Sequence, residues 1–170
     1  MLRIFFVVLV LVSSALAQEN PVIAAARKQI GERGKHLIEA AQEMPAEKYS
    51  FKATEGQMTF GHLVLHTARA NSFLCSALAG AEPPAWLKET KDTDPKDKLV
   101  PLLEQSVNYC VESIGKVDPA SFGKELKFPF GSMTVAEVLT ELNADFADHY
   151  SLAATYLRLN GLQPPTAKKK

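Results

Sequence analysis

The apolar residues of the chain fall in four stretches, each with spacings of three and four that draw one stripe along a helix. The first runs from Pro21 to Met44 with Ile23, Ala26, Ile30, Leu37, Ala41 and Met44 on its stripe, and Pro45 closes it. The second is capped by Thr59 and reaches about Ala79, where Gly80 permits the left-handed turn that ends a helix. The third is expected to start at Asp94-Pro95, with Asp94 as cap and Pro95 at the first helical position. Leu99, Leu103, Ser106, Cys110 and Ile114 form its stripe, Pro101 should kink it or push its regular part downstream, and Gly115 ends it. The fourth opens with a capping box, Thr134 and Glu137, and carries Val135, Val138, Leu139, Leu142, Phe146, His149, Ala153, Tyr156 and Leu157 inward. Asn160-Gly161 stops it and Pro164-Pro165 forbid its resumption. Some 25 residues at about 1.5 Å each make roughly 37 Å, a length suited to an all-α four-helix bundle.

Between these stretches, residues 46–58 read as a loop, 81–92 as a connector with Pro83-Pro84 and a lone Trp86, and 116–130 as irregular or briefly extended. A chain of 170 residues with 46% hydrophobic character supports one well-cored domain. Residues 1–17 have one basic residue, an apolar run from Ile4 to Val12 and an Ala15-Leu16-Ala17 site, the pattern of a signal peptide. The expected division is therefore a leader at 1–17, a helical domain at 18–165 and a disordered basic tail at 166–170, in a periplasmic or secreted protein. Losing Arg3 with the leader takes the formal charge from 0 to −1, which offers nucleic acid or an anionic membrane no general attraction. After cleavage no stable membrane insertion is expected. Cys75 and Cys110 lie on apolar sides of successive helices, a disulfide candidate in an oxidising compartment, with two buried thiols as the alternative.

Four histidines carry the candidate chemistry. His62 and His66 stand four apart on the second helix, and Asp145 and His149 four apart on the fourth, so each pair shares a helical face. Two imidazoles at that spacing can ligate one metal, with His66, beside Leu63, Ala70 and Phe73, expected to be the more buried. Asp145 and His149 are either a structural ion pair or two ligands, since neither is buried cheaply without a partner. His36 reads as an edge residue. Gly56-Gln57-Met58-Thr59 and Gly131-Ser132-Met133-Thr134, displaced by 75 residues, precede the two ligand-bearing helices and suggest a pseudo-repeat. There is no Gly-rich phosphate loop and no nucleophile elbow.

The segments MTFGHLVLHTARANSFLCSALAG and DFADHYSLAATYLRLNGLQPP, with similar helix lengths throughout, resemble the DinB-like family of four-helix bundles. The resemblance implies an up-and-down bundle with an unusually long connection, often a homodimer, and in many members a divalent metal such as Zn²⁺ or Ni²⁺ held by three His. Carried over by position, it assigns His66, residue 145 and His149 as metal ligands. Residue 145 is Asp145 here rather than the usual His, and a carboxylate with two His leaves open positions for water or a small-molecule substrate. Two functions stay open. One is a metal-dependent enzyme of hydrolase or thiol-transferase type. The other is a non-catalytic exported bundle that binds a small ligand or partner.

Overall fold

The computed structural model describes residues 19–168, so the proposed leader and the last two lysines lie outside the described residues. Four helices dominate: α1 (Pro21–Glu43), α2 (Phe60–Ala79), α3 (Lys96–Gly115) and α4 (Val135–Leu159). Their ends follow local chemistry. The Asn20 side chain accepts from the Val22 and Ile23 N–H groups, Thr59 accepts from the His62 N–H, and Gly80 ends α2 at φ 63°. Thr134 and Glu137 close the expected capping box on α4. At α3 the expectation needs correction. The cap is Pro95, and the Asp94 carboxylate instead accepts from the Lys91 N–H at 2.8 Å and pairs with Lys98 at 2.7 Å. Pro95 holds an extended ψ of 158°, which delays the first helical residue to Lys96. The helix then runs unbroken through Pro101, which is exposed and near the helix start, where the carbonyl it leaves without a partner can be hydrated.

The stretch expected to be irregular or briefly extended does extend, over β1 (Glu125–Phe128), which forms a small antiparallel hairpin with β2 (Gly131–Thr134), paired from Glu125↔Thr134 to Phe128↔Gly131. Thr134 ends β2 and caps α4, so the hairpin fixes where the last helix begins. Residues 165–167, expected partly as tail, make a 3₁₀ turn held on α1 and α4. The Tyr150 and Thr166 hydroxyls lie 2.7 Å apart, and Lys168 pairs with Glu43.

In cross-section the helices follow the cyclic order α1, α3, α2, α4, with α1 opposite α2 and α3 opposite α4. Their directions follow from who meets whom. Gly34 faces Val107 and Gly115 faces Arg27, so α1 and α3 are antiparallel. His36 meets Tyr150 and Arg33 donates to the Asn143 carbonyl, so α1 and α4 are parallel. Phe60 meets Tyr156 while His66 meets His149, so α2 and α4 are antiparallel. It follows that α2 and α3 are parallel, and the chain between them must return along the bundle. Residues 80–95 do so along α2. Arg69 donates to the carbonyls of Leu87 and Thr90, and a Cβ at Gly61 would come within 2.9 Å of the Asp92 carbonyl. This is the long connection the resemblance implies. Cys75 and Cys110 are joined in a disulfide, which ties α2 to α3.

All four helices feed one core, in which Ile30, Phe60, Leu63, Leu99, Leu103, Leu142, Phe146 and Tyr156 are essentially out of solvent. Tyr156 satisfies its hydroxyl by donating to the Met58 carbonyl at 2.6 Å, which also ties the α2 entry to α4. Trp86 is half-buried against this core.

Candidate metal centre

The antiparallel α2 and α4 bring two imidazoles together. The ring centroids of His66 and His149 lie 5.1 Å apart. Two imidazoles bound through nitrogen to one tetrahedral Zn²⁺ at about 2.0–2.1 Å set their centroids about 5 Å apart. The observed spacing is compatible with a shared cation, and it is also that of two tilted rings in direct contact.

His149 reaches this place because it lies on the buried stripe of α4, one turn from Phe146 and Ala153, and it is 7% exposed. Its Nδ1 stands 2.8 Å from the Asp145 backbone oxygen. A carbonyl only accepts, so Nδ1 carries the ring proton and Nε2, on the other edge, keeps its lone pair. The Asp145 carboxylate approaches the same edge, Oδ2 to Nδ1 at 3.1 Å. Because that N–H is aimed at the backbone oxygen, Oδ2 is buried with no aligned donor. Such an oxygen is expensive to bury and favours a positive charge nearby. Burial pulls the His149 pKa down. Hydrogen bonding and negative charge from Asp145, with Asp148 adding to them, outweigh that and leave it raised.

His66 keeps part of its ring in solvent, yet the protein packed around the rest lowers its pKa. The positive charge that His149 and His62 can carry lowers it further, against the opposing pull of Asp145. A lowered pKa keeps the ring neutral and its nitrogen available to a metal. Burial does not single out His66 as expected, because His62 is exposed as well. His62 lies 6.4 Å from His66 between centroids, and its Nδ1 is 3.5 Å from Asp92 Oδ2. His36 is elsewhere, half-buried against Tyr150 with centroids 5.4 Å apart.

The structure thus gathers His66, Asp145 and His149 in one place, with His62 at its margin. Among the described residues, no three His, Cys, Asp or Glu side chains already stand as a complete group for an ion. Two imidazoles are in position, and a third donor would have to move toward them. The donor set itself, imidazole nitrogen with a buried carboxylate alongside, fits Zn²⁺ or Ni²⁺. Asp92 is the neighbour that reading the sequence missed. It sits in an irregular connector 30 positions after His62, and no local pattern marks the pairing.

Comparison with known proteins agrees with this architecture. The sequence matches the model of the DinB superfamily over residues 29–153. The fold is similar to that of a DinB-like protein from Bacillus cereus ATCC 10987, with a TM-score of 0.69 and 18% identity, covering 84% of this chain and 95% of that one. No curated protein matches the sequence.

Proposed function

We propose, from the premise that the chain belongs to the DinB superfamily, that it is an exported protein binding a divalent metal between α2 and α4. His66 and His149 supply imidazole nitrogens, and Asp145 supplies the negative charge of the centre. The observation that carries this reading is the 5.1 Å spacing of the two rings beside a buried carboxylate oxygen that has no aligned donor. A bound Zn²⁺ or Ni²⁺ would supply Lewis-acid activation of a water or thiol, the chemistry of a hydrolase or a thiol transferase. Export favours hydrolysis, since small thiols are mainly cytoplasmic. The disulfide between Cys75 and Cys110 supports an oxidising compartment, and no helix among the described residues is long and apolar enough to cross a membrane. Mass analysis of the mature protein tests export, with Gln18 as the expected first residue.

The metal is tested by elemental analysis and melting of untagged protein. At a free metal concentration near 100 times Kd, binding stabilises by about 2.7 kcal/mol, or roughly 5–11 °C in a domain of this size. His66→Ala should lose both the metal and the shift. Metal-free protein whose melting ignores Zn²⁺ and Ni²⁺ would instead support a second reading, a non-catalytic bundle that binds a small ligand or partner. One observation favours that alternative. Asp145 Oδ2, although without an aligned donor, stands at ion-pair distance from His149 Nδ1, 3.1 Å, so the charge of a protonated His149 could balance it without a metal.

A further inference from the structure

We infer that His62, oriented by Asp92, is the third nitrogen ligand of the centre, and that Asp145 orients His149 without itself binding the cation. The inference rests on the metal reading above and names its ligand set.

His66 neighbours both other imidazoles, His62 at 6.4 Å and His149 at 5.1 Å between centroids, and each of those two has a carboxylate beside it. Asp145 stands against the Nδ1 edge of His149, 3.1 Å away, while the ring proton is committed to the backbone carbonyl at 2.8 Å. A cation bound by His149 takes the Nε2 lone pair on the opposite edge. A carboxylate behind the protonated nitrogen is the arrangement that fixes the tautomer and orientation of a metal-bound histidine. To become a ligand, Asp145 would have to leave that post.

His62 repeats the pattern with a carboxylate from a different part of the chain. Asp92 Oδ2 lies 3.5 Å from His62 Nδ1, a longer ion-pair distance than that of Asp145, on the Nδ1 edge of the ring and away from Nε2. Asp92 is not carried there by a loose loop. Arg69 holds the connector through the Leu87 and Thr90 carbonyls, and the Asp92 carbonyl is packed so close to Gly61 that any larger residue at that position would meet it at 2.9 Å. The return of the long connection along α2 therefore delivers a carboxylate to the side of His62 away from a metal.

Distances show which donor can move. One Zn²⁺ needs every pair of its rings about 5 Å apart between centroids, so His62 must close by roughly 1 Å on His66 and swing toward His149 as well. Its side chain is 47% exposed and free to turn, whereas that of His149 is 9% exposed and fixed. Rotation of one half-exposed ring completes a set of three nitrogens and leaves a fourth tetrahedral position open. In this chain the imidazole absent from residue 145 is replaced from one turn earlier on α2, not by the aspartate.

The test uses Zn²⁺ and the untagged protein. Imidazole ¹H–¹⁵N correlation spectra are recorded with and without one equivalent of Zn²⁺, and Zn²⁺ affinity is measured by chelator competition for the wild type, His62→Gln, Asp92→Asn and Asp145→Asn. The expected result is that the ring nitrogens of His62, His66 and His149 all shift while His36 does not. His62→Gln should weaken binding by about 100-fold or more. Asp92→Asn and Asp145→Asn should still bind one Zn²⁺, weakened about 10- to 100-fold, as for residues that support a ligand from behind. An unshifted His62 ring, or Asp145→Asn protein that binds no Zn²⁺, overturns the inference while leaving the metal reading intact. Wild-type protein that shows no shift with Zn²⁺ or Ni²⁺ overturns both. The wild-type spectra decide the matter even if a variant fails to fold.

Discussion

Replacing Gly34 by alanine adds one methyl group where α1 and α3 approach most closely. The new Cβ would lie 2.4 Å from Val107 Cγ1, 2.9 Å from Cγ2 and 3.2 Å from Cβ. Rotating Val107 cannot clear both γ carbons, and a helical valine has one strongly preferred χ1 in any case. The helices must separate instead. Overpacking of this kind costs about 1–3 kcal/mol, and three contacts this short place it toward the upper end. Alanine returns up to about 1 kcal/mol in helix propensity over glycine. The net expectation is a loss of roughly 1–2 kcal/mol, or about 2–8 °C in melting temperature for a domain of this size. The assay is thermal and urea unfolding of metal-free, disulfide-intact protein. Two controls make it decisive. Gly31, one turn earlier on the same helix, has only an ordinary contact to Val111 at 3.8 Å, so Gly31→Ala should stabilise by up to about 1 kcal/mol. In a Val107→Ala background only the 3.2 Å contact to Cβ remains, so Gly34→Ala should cost clearly less than in the wild type. If Gly34→Ala stabilises the otherwise wild-type protein as much as Gly31→Ala does, the close α1–α3 packing is wrong.

Three further outcomes follow from other parts of the fold. Denatured, unreduced protein should show no free Cys75 or Cys110 thiol, and replacing both by alanine should cost about 4 kcal/mol for a loop of 35 residues in the chain-entropy model. Thr134→Ala removes the α4 cap and should destabilise by about 1 kcal/mol in urea unfolding. Hydrogen bonds from the Thr134 backbone and side chain hold the Glu137 pKa below its ordinary value. The contribution of Glu137 is therefore full above its unfolded pKa and lost as pH falls through its lower folded pKa. Unfolding measured across that acid window should show a smaller decline in Glu137→Gln than in the wild type, and an equal decline would refute the role of the carboxylate.

Helix number and almost every helix end were legible in local order, because caps, glycines and prolines act over a few residues. Thr59, Gly80, and Thr134 with Glu137 each do in the structure what their type and spacing imply. Asp94 failed as a cap because its carboxylate is taken by the Lys91 N–H and by Lys98, contacts that depend on how the preceding turn folds. A brief extension before α4 was legible, but its pairing into a hairpin at 125–134 was not, because two four-residue strands carry too little alternation to reveal a partner.

For the site, residue type and helical spacing limit which residues could serve: two pairs at i,i+4, each confined to one face of its own helix by the 3.6-residue repeat. Packing of the helices settles which of them meet. The antiparallel approach of α2 and α4 sets His66 against His149, and the return of residues 80–95 along α2 brings Asp92 to His62. Those pairings depend on chain direction and on a long crossover, which are chosen by how four apolar stripes bury one another over the whole domain. No short window of residues contains that choice.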